Sequence, residues 1–567
     1  MKLHQNDLSS PHDSPKKPLE QWFVVICSTV MAILTTMPYL FGYLIAPADR
    51  VFMGIITRTP DIAQYLAWMK RFMNANLISN PLTPEPNEAI FFNLLWWSLA
   101  KISKFLSVDP MIIVQIFRIL SIFAFAGVLY WFISLIFPNI RYRKAAFLVA
   151  YFGAGLGWIY VVLKYTYRGG TFLGPKDVYV VEPNSFLCML GVSHFTISAT
   201  LIMLIFGLFL IGCERRQWRY PLLASLTAII LGWEHAYDLL LVYAILGVFV
   251  LVMMFRGGFS WHLILYLVVI GITSWWPALY SIYITRTFEI WKNVLSQFEN
   301  AGAWTPDPFH LLFLMGLPFI AAIFAYDGLL PIKERSPRAL FVRIWFLVNL
   351  FVIYVPLNFQ IHYLNGWQIP TAILAVEAFF NRILPWLRLH TPFERVKKAF
   401  SLPNFEKGVL TFVFLTLILT NIYLFLWHFY NLQRLPHDIF LYRDERAALT
   451  WLAQHTNPDD VILSANEIGQ YIPSQTGAKA FIAHWAMTKD LYQKQQIVNM
   501  FFDTATSDDF RIQTIKEFSV DYILSSTEER SLGNYDPSQS AFLRTCFTSP
   551  LAKIYCVQTN QLAQLSK

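Results

Sequence analysis

The sequence predicts a polytopic α-helical membrane protein with about eleven transmembrane helices and a C-terminal α/β domain outside the cytoplasm. The 567 residues are 56% hydrophobic and only 14% charged, with a mean hydropathy of +0.45, whereas a soluble chain usually carries about 25% charged residues. The apolar residues occur in blocks of roughly 17 to 25, the length that crosses a bilayer core about 30 Å thick. These observations exclude a soluble enzyme as the default, and they exclude a disordered or low-complexity chain.

The chain begins with a polar tail, residues 1–21, which we expect to be cytoplasmic. Lys16 and Lys17 precede the first apolar block, 22–46, which is too long for a signal-peptide core of about 7 to 15 residues. We therefore expect a first transmembrane helix here, the start of a membrane domain covering 22–430. The further predicted spans are 110–137, 145–163, 189–212, 220–234, 237–255, 262–284, 309–326, 339–356, 370–388 and 409–430. An odd number of spans places the two termini on opposite sides of the bilayer.

Lysine and arginine residues fall in alternate loops between these spans. Because basic residues collect in cytoplasmic loops, those loops lie on the same side as Lys16 and Lys17. This topology accounts for the net charge of +8, so the bilayer is an expected partner and a nucleic acid is not. The opposite, outer side has the longer loops, in which we look for function: 48–109, 164–188, 285–308 and 357–369.

After Tyr430 the composition becomes polar throughout, which predicts a soluble outer domain over 431–567. Helix-like and strand-like segments alternate in it, at 443–455, 460–464, 503–518 and 520–524, as in an α/β unit. A final hairpin over 542–557 would bring Cys546 and Cys556 opposite each other. A disulfide is chemically allowed outside the cytoplasm, and two free thiols are the alternative.

The first outer loop holds most of the polar residues that could take part in catalysis or binding. Asp61 precedes an amphipathic helix predicted over 62–73 and stands where a helix N-cap would. Capping alone is one interpretation of this carboxylate, and a functional role is the other. A second amphipathic helix is predicted over 88–106, lying in the membrane interface.

Polar residues within the apolar blocks are a second indication of a site, because a charge inside the membrane is costly and usually faces a cavity. His194 opens the fourth predicted span, and Glu234, His235 and Asp238 lie at the hairpin between the fifth and sixth. Either the last three form a polar turn in which they pair with one another, or they line a substrate site level with the first outer loop.

Several short motifs, none specific alone, follow one another in an order that resembles a known family. They are Asp61-x-x-x-Tyr65, Asn80-Pro-Leu-Thr-Pro-Glu85, Arg118, Gly153-Ala-Gly-Leu-Gly-Trp158, Glu182-Pro-Asn-Ser-Phe186, Ser193-His194-Phe195, Asp459-Asp460-Val-Ile-Leu, Ile472-Pro-Ser-Gln-Thr-Gly477, His484-Trp-Ala-Met-Thr488 and Val520-Asp-Tyr-Ile-Leu. Together they resemble the GT-C superfamily of integral-membrane glycosyltransferases, in particular the dolichyl-phosphate-mannose-protein mannosyltransferase-like members. These enzymes use sugars linked to a polyprenyl phosphate as donors.

The resemblance implies transfer of a sugar from a polyprenyl phosphate to a glycan, lipid or protein acceptor, with inversion at the anomeric carbon. A carboxylate of the first outer loop would act as general base; Asp61 is the first choice and Asp49 the second, although Arg50 could simply pair with Asp49. The residues that would bind the donor phosphate or the substrate are Arg58, Tyr65, Glu85, Lys164, Arg168, His194, Glu234, His235, Arg286 and His362. No cofactor or metal is expected, because the first loop has no DxD pair and the five cysteines show no zinc-ligand spacing.

Two departures from the family pattern are visible. The resemblance implies an arginine in the loop 358–366, where this chain has Ile361 and His362, and a glycine where it has Ala483. Two other classes of function therefore stay open: a transporter or lipid flippase, which the lack of a clear inverted repeat disfavours, and a non-catalytic scaffold, which the missing arginine favours.

Overall fold

The computed structural model describes residues 18–167, 178, 180–257, 260–302, 304–326, 335–390, 398, 402–558 and 560–561. The helices up to the end of the membrane part are α1 (Pro18–Ile45), α2 (Thr59–Phe72), α3 (Leu94–Leu106), α4 (Pro110–Ile136), α5 (Ile140–Phe152), α6 (Gly157–Thr166), α7 (Ser185–Gly191), α8 (Ser193–Arg215), α9 (Arg219–Glu234), α10 (Asp238–Gly257), α11 (Trp261–Ser274), α12 (Trp276–Thr287), α13 (Glu289–Ser296), α14 (Pro308–Ile323), α15 (Pro337–Val352), α16 (Gln368–Ala378), α17 (Leu384–Leu389) and α18 (Leu402–Gln433). The C-terminal helices are α19 (Arg443–His455), α20 (Asn466–Gly469), α21 (Tyr471–Thr476), α22 (Leu491–Phe501), α23 (Asp508–Glu517) and α24 (Thr527–Leu532). The strands are β1 (Arg50–Phe52), β2 (Phe440–Tyr442), β3 (Val461–Leu463), β4 (Lys479–Ala480), β5 (Val520–Ser525), β6 (Leu543–Thr548) and β7 (Lys553–Val557).

Among the described residues, five helices are long and apolar enough to cross a membrane: α1, α4, α8, α10 and α18. The pairs α5–α6 and α11–α12, bent by 42° and 40°, raise this number to seven if each pair is one span. All the predicted spans fall on helices, but the predicted number is not confirmed, because the remaining helices α9, α14, α15 and α16 have only 11 to 16 residues. The predicted span 309–326, for example, extends past the end of α14 at Ile323, and the helix is itself kinked at Gly316, where φ is 67°.

The membrane helices pack around α8, of whose most apolar window 72% is buried inside the protein. Helices α4 and α9 lie against it. Its N-terminus carries Ser193 and His194, and both are buried. The bundle therefore holds a polar side chain, that of His194, at the end of its central helix.

The first long loop, residues 48–109, does not stand apart from the C-terminal domain. Strand β1 in the loop pairs antiparallel with β2, which follows α18. Trp68 and Phe72 of α2 share one hydrophobic core with Leu449, Ile472 and Leu524 of the C-terminal domain. The loop and the domain are thus joined by a shared apolar core, although the C-terminal domain also has a second core made of its own residues.

The C-terminal domain is built on a five-stranded mixed sheet in the order β4-β3-β5-β7-β6. Strands β4, β3 and β5 run parallel, whereas β7 is antiparallel to both β5 and β6. Cys546 and Cys556 form a disulfide across the β6–β7 hairpin, with their Cα atoms 5.9 Å apart. The loop after β4, residues 481–489, lies next to the first long loop, to which it is hydrogen-bonded through Asn80 and Leu82.

Both amphipathic helices of the first loop differ from the prediction at their N-termini. Helix α2 begins at Thr59, and the cap position is held by Arg58 in the left-handed conformation at φ 51° and ψ 48°. Helix α3 begins at Leu94 rather than near residue 88, because the side chain of Asn93 accepts a hydrogen bond from the Trp96 amide and caps it. Of the two interpretations of Asp61, helix capping is therefore excluded; Asp61 lies within the first turn of α2.

Candidate active site between the first loop and the C-terminal domain

Asp61 is in contact with a histidine of the C-terminal domain. The Asp61 Oδ1 atom lies 2.9 Å from His484 Nε2, and its Oδ2 atom lies 3.6 Å from an Arg58 guanidinium nitrogen. The Asp61 side chain is 27% exposed, whereas that of His484 is only 5% exposed. The carboxylate is thus held from two sides and still open to a substrate.

The surroundings of Asp61 favour its ionised form. Burial by itself would raise the pKa of Asp61, but the hydrogen bond from His484 and the positive charge of Arg58 outweigh burial and hold the pKa below its usual value. The backbone amide of Ala486 donates to His484 Nδ1 at 3.0 Å. His484 therefore carries its proton on Nε2 and donates it to the carboxylate.

Tyr65, one turn further along α2, connects Asp61 to the membrane bundle. Its ring stacks on Trp96 at 4.4 Å and meets His194 edge-on at 4.9 Å. Its hydroxyl lies 3.4 Å from His194 Nε2. Burial raises the pKa of Tyr65, and the nearby charges of Asp61 and Glu182 raise it further. The hydroxyl therefore stays protonated and can donate a hydrogen bond.

Three histidines from separate segments meet beside Tyr65. The rings of His194 and His235 lie 5.2 Å apart, and the ring of Tyr237 lies 5.0 Å from both His235 and His362. A carboxylate contacts Nδ1 of two of them: Glu182 at 2.7 Å from His362 and Asp238 at 3.3 Å from His235. Such contacts fix the orientation of the two rings.

The polar hairpin between α9 and α10 pairs in part, as the polar-turn interpretation expects. His235 pairs with Asp238. The ring of His235 also packs against that of His194. The Glu234 main-chain carbonyl accepts a hydrogen bond from Asn93 at 3.0 Å, whereas its Oε1 atom is buried without a hydrogen-bond partner among the described residues.

The other predicted site residues that the structure describes lie apart from the Asp61–His484 contact and from the histidines beside Tyr65. Asp49 is exposed, and Arg50 does not pair with it but donates to the Leu435 carbonyl and the Tyr442 hydroxyl. Glu85 forms an ion pair with the buried ammonium group of Lys494 at 2.5 Å. Lys164 lies over the ring of Tyr165, and Arg286 is exposed in the last turn of α12. Arg168 lies outside the described residues.

His484 was not among the predicted site residues, although its motif was part of the family resemblance. The signal was present in the sequence, because His484 is the one polar residue in the segment 480–487 and has no obvious structural role there. Its partner Asp61 lies 423 positions away, and no local pattern connects the two. Glu182, another residue of a resemblance motif, is likewise assigned by its contact with His362.

A second cluster of metal-ligating residue types lies at the junction of α18 and the C-terminal domain. Ligand atoms of His437, Glu467 and Glu528 lie within 4.8 Å of one another. Burial alone would lower the pKa of His437, but hydrogen bonds to Glu445 and Glu467 raise it to about 10. At neutral pH both ring nitrogens therefore carry protons and donate to Glu445 and Glu467, so a metal ion would have to displace a proton to bind here.

Comparison with known proteins identifies the fold. No family model and no curated protein sequence matches the chain. The structure is similar to the archaeal oligosaccharyltransferase AglB from Archaeoglobus fulgidus in complex with an inhibitory peptide and a dolichol-phosphate, with a TM-score of 0.55 and 12% identity over 91% of this chain and 70% of that one. The crystal structure of the Archaeoglobus fulgidus oligosaccharyltransferase tethered with an acceptor peptide gives a TM-score of 0.52 and 12% identity over 90% and 70%. ArnT from Cupriavidus metallidurans bound to undecaprenyl phosphate gives 0.48 and 11% over 96% and 99%. At such identities the likeness is one of fold.

Proposed function

Since the chain has the GT-C fold of membrane glycosyltransferases, we propose that it transfers a sugar from a polyprenyl-phosphate donor to an acceptor at the extracytoplasmic face of the membrane. The observation that carries this proposal is the Asp61 carboxylate, held ionised by His484 and Arg58 and still open to a substrate. It lies where the first loop and the C-terminal domain meet above the bundle. The AglB structure, which holds a dolichol-phosphate, supports a lipid-linked donor.

Asp61 acts as the general base in this scheme. Its Oδ1 atom is engaged by His484, so Oδ2 accepts the proton of the acceptor hydroxyl. The hydroxyl oxygen forms a bond to the anomeric carbon while the bond from that carbon to the phosphate oxygen breaks. The bonding pair leaves with the polyprenyl phosphate, and the single displacement inverts the configuration. A positioned base of this kind contributes about 10²- to 10⁴-fold to the rate.

The leaving phosphate needs positive charge and hydrogen-bond donors. Arg58 supplies a permanent charge beside Asp61, and the Tyr65 hydroxyl supplies a donor. His194, His235 and His362 supply imidazoles on the membrane side of the site. We propose that His362 replaces the arginine implied by the resemblance, with Glu182 holding its ring in place. With these groups present, the scheme requires no divalent cation.

The test is donor turnover by the purified protein in nanodiscs, offered a panel of polyprenyl-phosphate sugars with a range of acceptors. We expect wild type to release polyprenyl phosphate and Asp61→Asn to be inactive although it folds. The matched control is Asp49→Asn, which removes an exposed carboxylate of the same loop and should leave turnover unchanged. Turnover should also persist in the presence of EDTA. Substrate flux across the membrane that survives Asp61→Asn would instead identify a transporter.

A further inference from the structure

We propose that His484 is a positioning residue for Asp61, so that the C-terminal domain completes the active site of the first loop. This inference rests on the proposed function, because it assigns how the general base of that reaction is held. It adds a residue from a second part of the chain to a site that otherwise consists of the first loop and the membrane bundle.

The hydrogen bonds of His484 allow only one arrangement of its proton. Nδ1 accepts from the Ala486 amide at 3.0 Å, so the neutral ring must carry its hydrogen on Nε2. Nε2 in turn lies 2.9 Å from Asp61 Oδ1. With both nitrogens engaged and the side chain 5% exposed, the imidazole cannot itself take up the proton of the acceptor. Its role is therefore to orient the carboxylate.

The loop that carries His484 is fastened to the first loop and to the segment after α13. Thr488 donates through its hydroxyl to the Leu82 carbonyl at 2.8 Å and accepts from the Ala483 amide at 3.0 Å. The side-chain amide of Asn80 donates to the Met487 carbonyl at 2.9 Å. Gln297 donates to the carbonyls of Ala486 and Thr488 at 3.1 and 3.0 Å. The imidazole is thus fixed before a substrate binds.

Fixing Oδ1 determines where Oδ2 points. Without His484, the Asp61 carboxylate would be free to rotate about its side-chain bonds and to form a closer ion pair with Arg58, which lies on the Oδ2 side at 3.6 Å. A base displaced by about 1 Å from its reactive geometry can lose about 10²-fold in rate. Substrate binding depends on other residues, so the loss should fall on kcat rather than on KM.

The experiment compares kcat and KM for the donor in His484→Ala, His484→Gln and the neighbouring control Trp485→Phe. We expect His484→Ala to lower kcat about 10²-fold with KM within about threefold. His484→Gln should recover most of kcat, because its amide nitrogen can reach Asp61 in place of Nε2. The Trp485 ring lies 5.6 Å from that of His484; because Trp485→Phe keeps an aromatic ring there and leaves the His484 hydrogen bonds in place, it should behave as wild type.

The pH profile of kcat is a second readout that a merely structural role would not change. The titratable groups that face Asp61 are His484, Arg58 and Tyr65. Losing the His484 hydrogen bond removes a contribution that lowers the pKa of Asp61. The acid limb of the profile should therefore move to higher pH in His484→Ala and return toward that of wild type in His484→Gln.

The two proposals fail differently. If Asp61→Asn is inactive but both His484 variants keep wild-type kcat and pH profile, His484 is not a positioning residue, while the general base stands. If Asp61→Asn retains turnover, the proposed function itself is overturned. Should His484→Ala not fold, as size-exclusion chromatography would reveal, His484→Leu takes its place, because it fills much of the same space without a donor for Asp61: a wild-type kcat and pH profile in that variant would overturn the positioning role.

Discussion

The ion pair between Glu85 and Lys494 should hold the first loop on the C-terminal domain. The ammonium group of Lys494 lies 2.5 Å from Glu85 Oε1 and also donates to the Lys489 carbonyl at 2.7 Å, with only 2% of the lysine side chain exposed. Removing one partner of a buried pair costs about 3 to 5 kcal/mol, because the other charge stays buried and uncompensated. We expect Glu85→Gln to lower the free energy of unfolding by about 3 kcal/mol, the lower end of this range, because the Glu85 side chain is 20% exposed.

Thermal unfolding of the detergent-solubilised protein measures this loss. About 2 to 4 °C per kcal/mol applies to a cooperative unit of roughly 150 to 250 residues, the approximate size of the first loop and C-terminal domain together. Glu85→Gln should therefore unfold about 6 °C or more below wild type. Glu88→Gln is the matched control, since Glu88 is an exposed carboxylate of the same segment.

Two further variants separate the charge effect from a general disturbance. Glu85→Gln combined with Lys494→Met removes both charges and should recover most of the loss. Burial lowers the pKa of Lys494, an effect that Glu85 opposes, so in Glu85→Gln the lysine should lose its proton more readily and the deficit should shrink at high pH. A Glu85→Gln midpoint no lower than that of Glu88→Gln would refute this reasoning.

Three other predictions concern titration and donor binding. The pKa of His437 is about 10 in the folded protein against 6.5 as a free group. Its two ion pairs therefore stabilise the protein most below pH 6.5 and lose their effect as the pH rises toward 10. His437→Gln should lower the unfolding midpoint at pH 6, and the difference from wild type should vanish near pH 10. Burial, aided by neighbouring carboxylates, raises the pKa of Glu528 from 4.5 to about 7, so the folded state binds more protons than the unfolded state between these two pH values. The unfolding midpoint of wild type should therefore fall as the pH rises from 4.5 to about 7. Glu528→Gln should flatten this fall, and an unchanged dependence of the midpoint on pH would contradict the reasoning. Arg58→Gln should raise the donor KM about tenfold or more through loss of a charge-assisted contact worth about 1.5 to 3 kcal/mol, measured beside Arg58→Lys, which should retain part of the binding.

The predictions that depended on local pattern agree with the structure in position. The apolar blocks fall on helices because a helix must present apolar side chains wherever it faces lipid or other helices. The hairpin over 542–557 pairs as β6 and β7 and brings Cys546 to Cys556. Less was predictable where a single residue decided an element's end: Arg58 adopts the left-handed cap conformation, and Asn93 starts α3 six residues after the amphipathic pattern begins.

The candidate site was predictable only in part, for a related reason. His194 stands out in the sequence because a polar group at the end of an apolar block is costly unless it has a role, whereas Asp61 and Tyr65 are indicated by the family resemblance. The sequence by itself determined the membrane class and the position of the helices, since composition and periodicity act over short stretches of chain. Only the tertiary structure joined Asp61 to His484 and engaged Glu85 with Lys494, because those contacts arise from the packing of one shared hydrophobic core between segments about 400 residues apart.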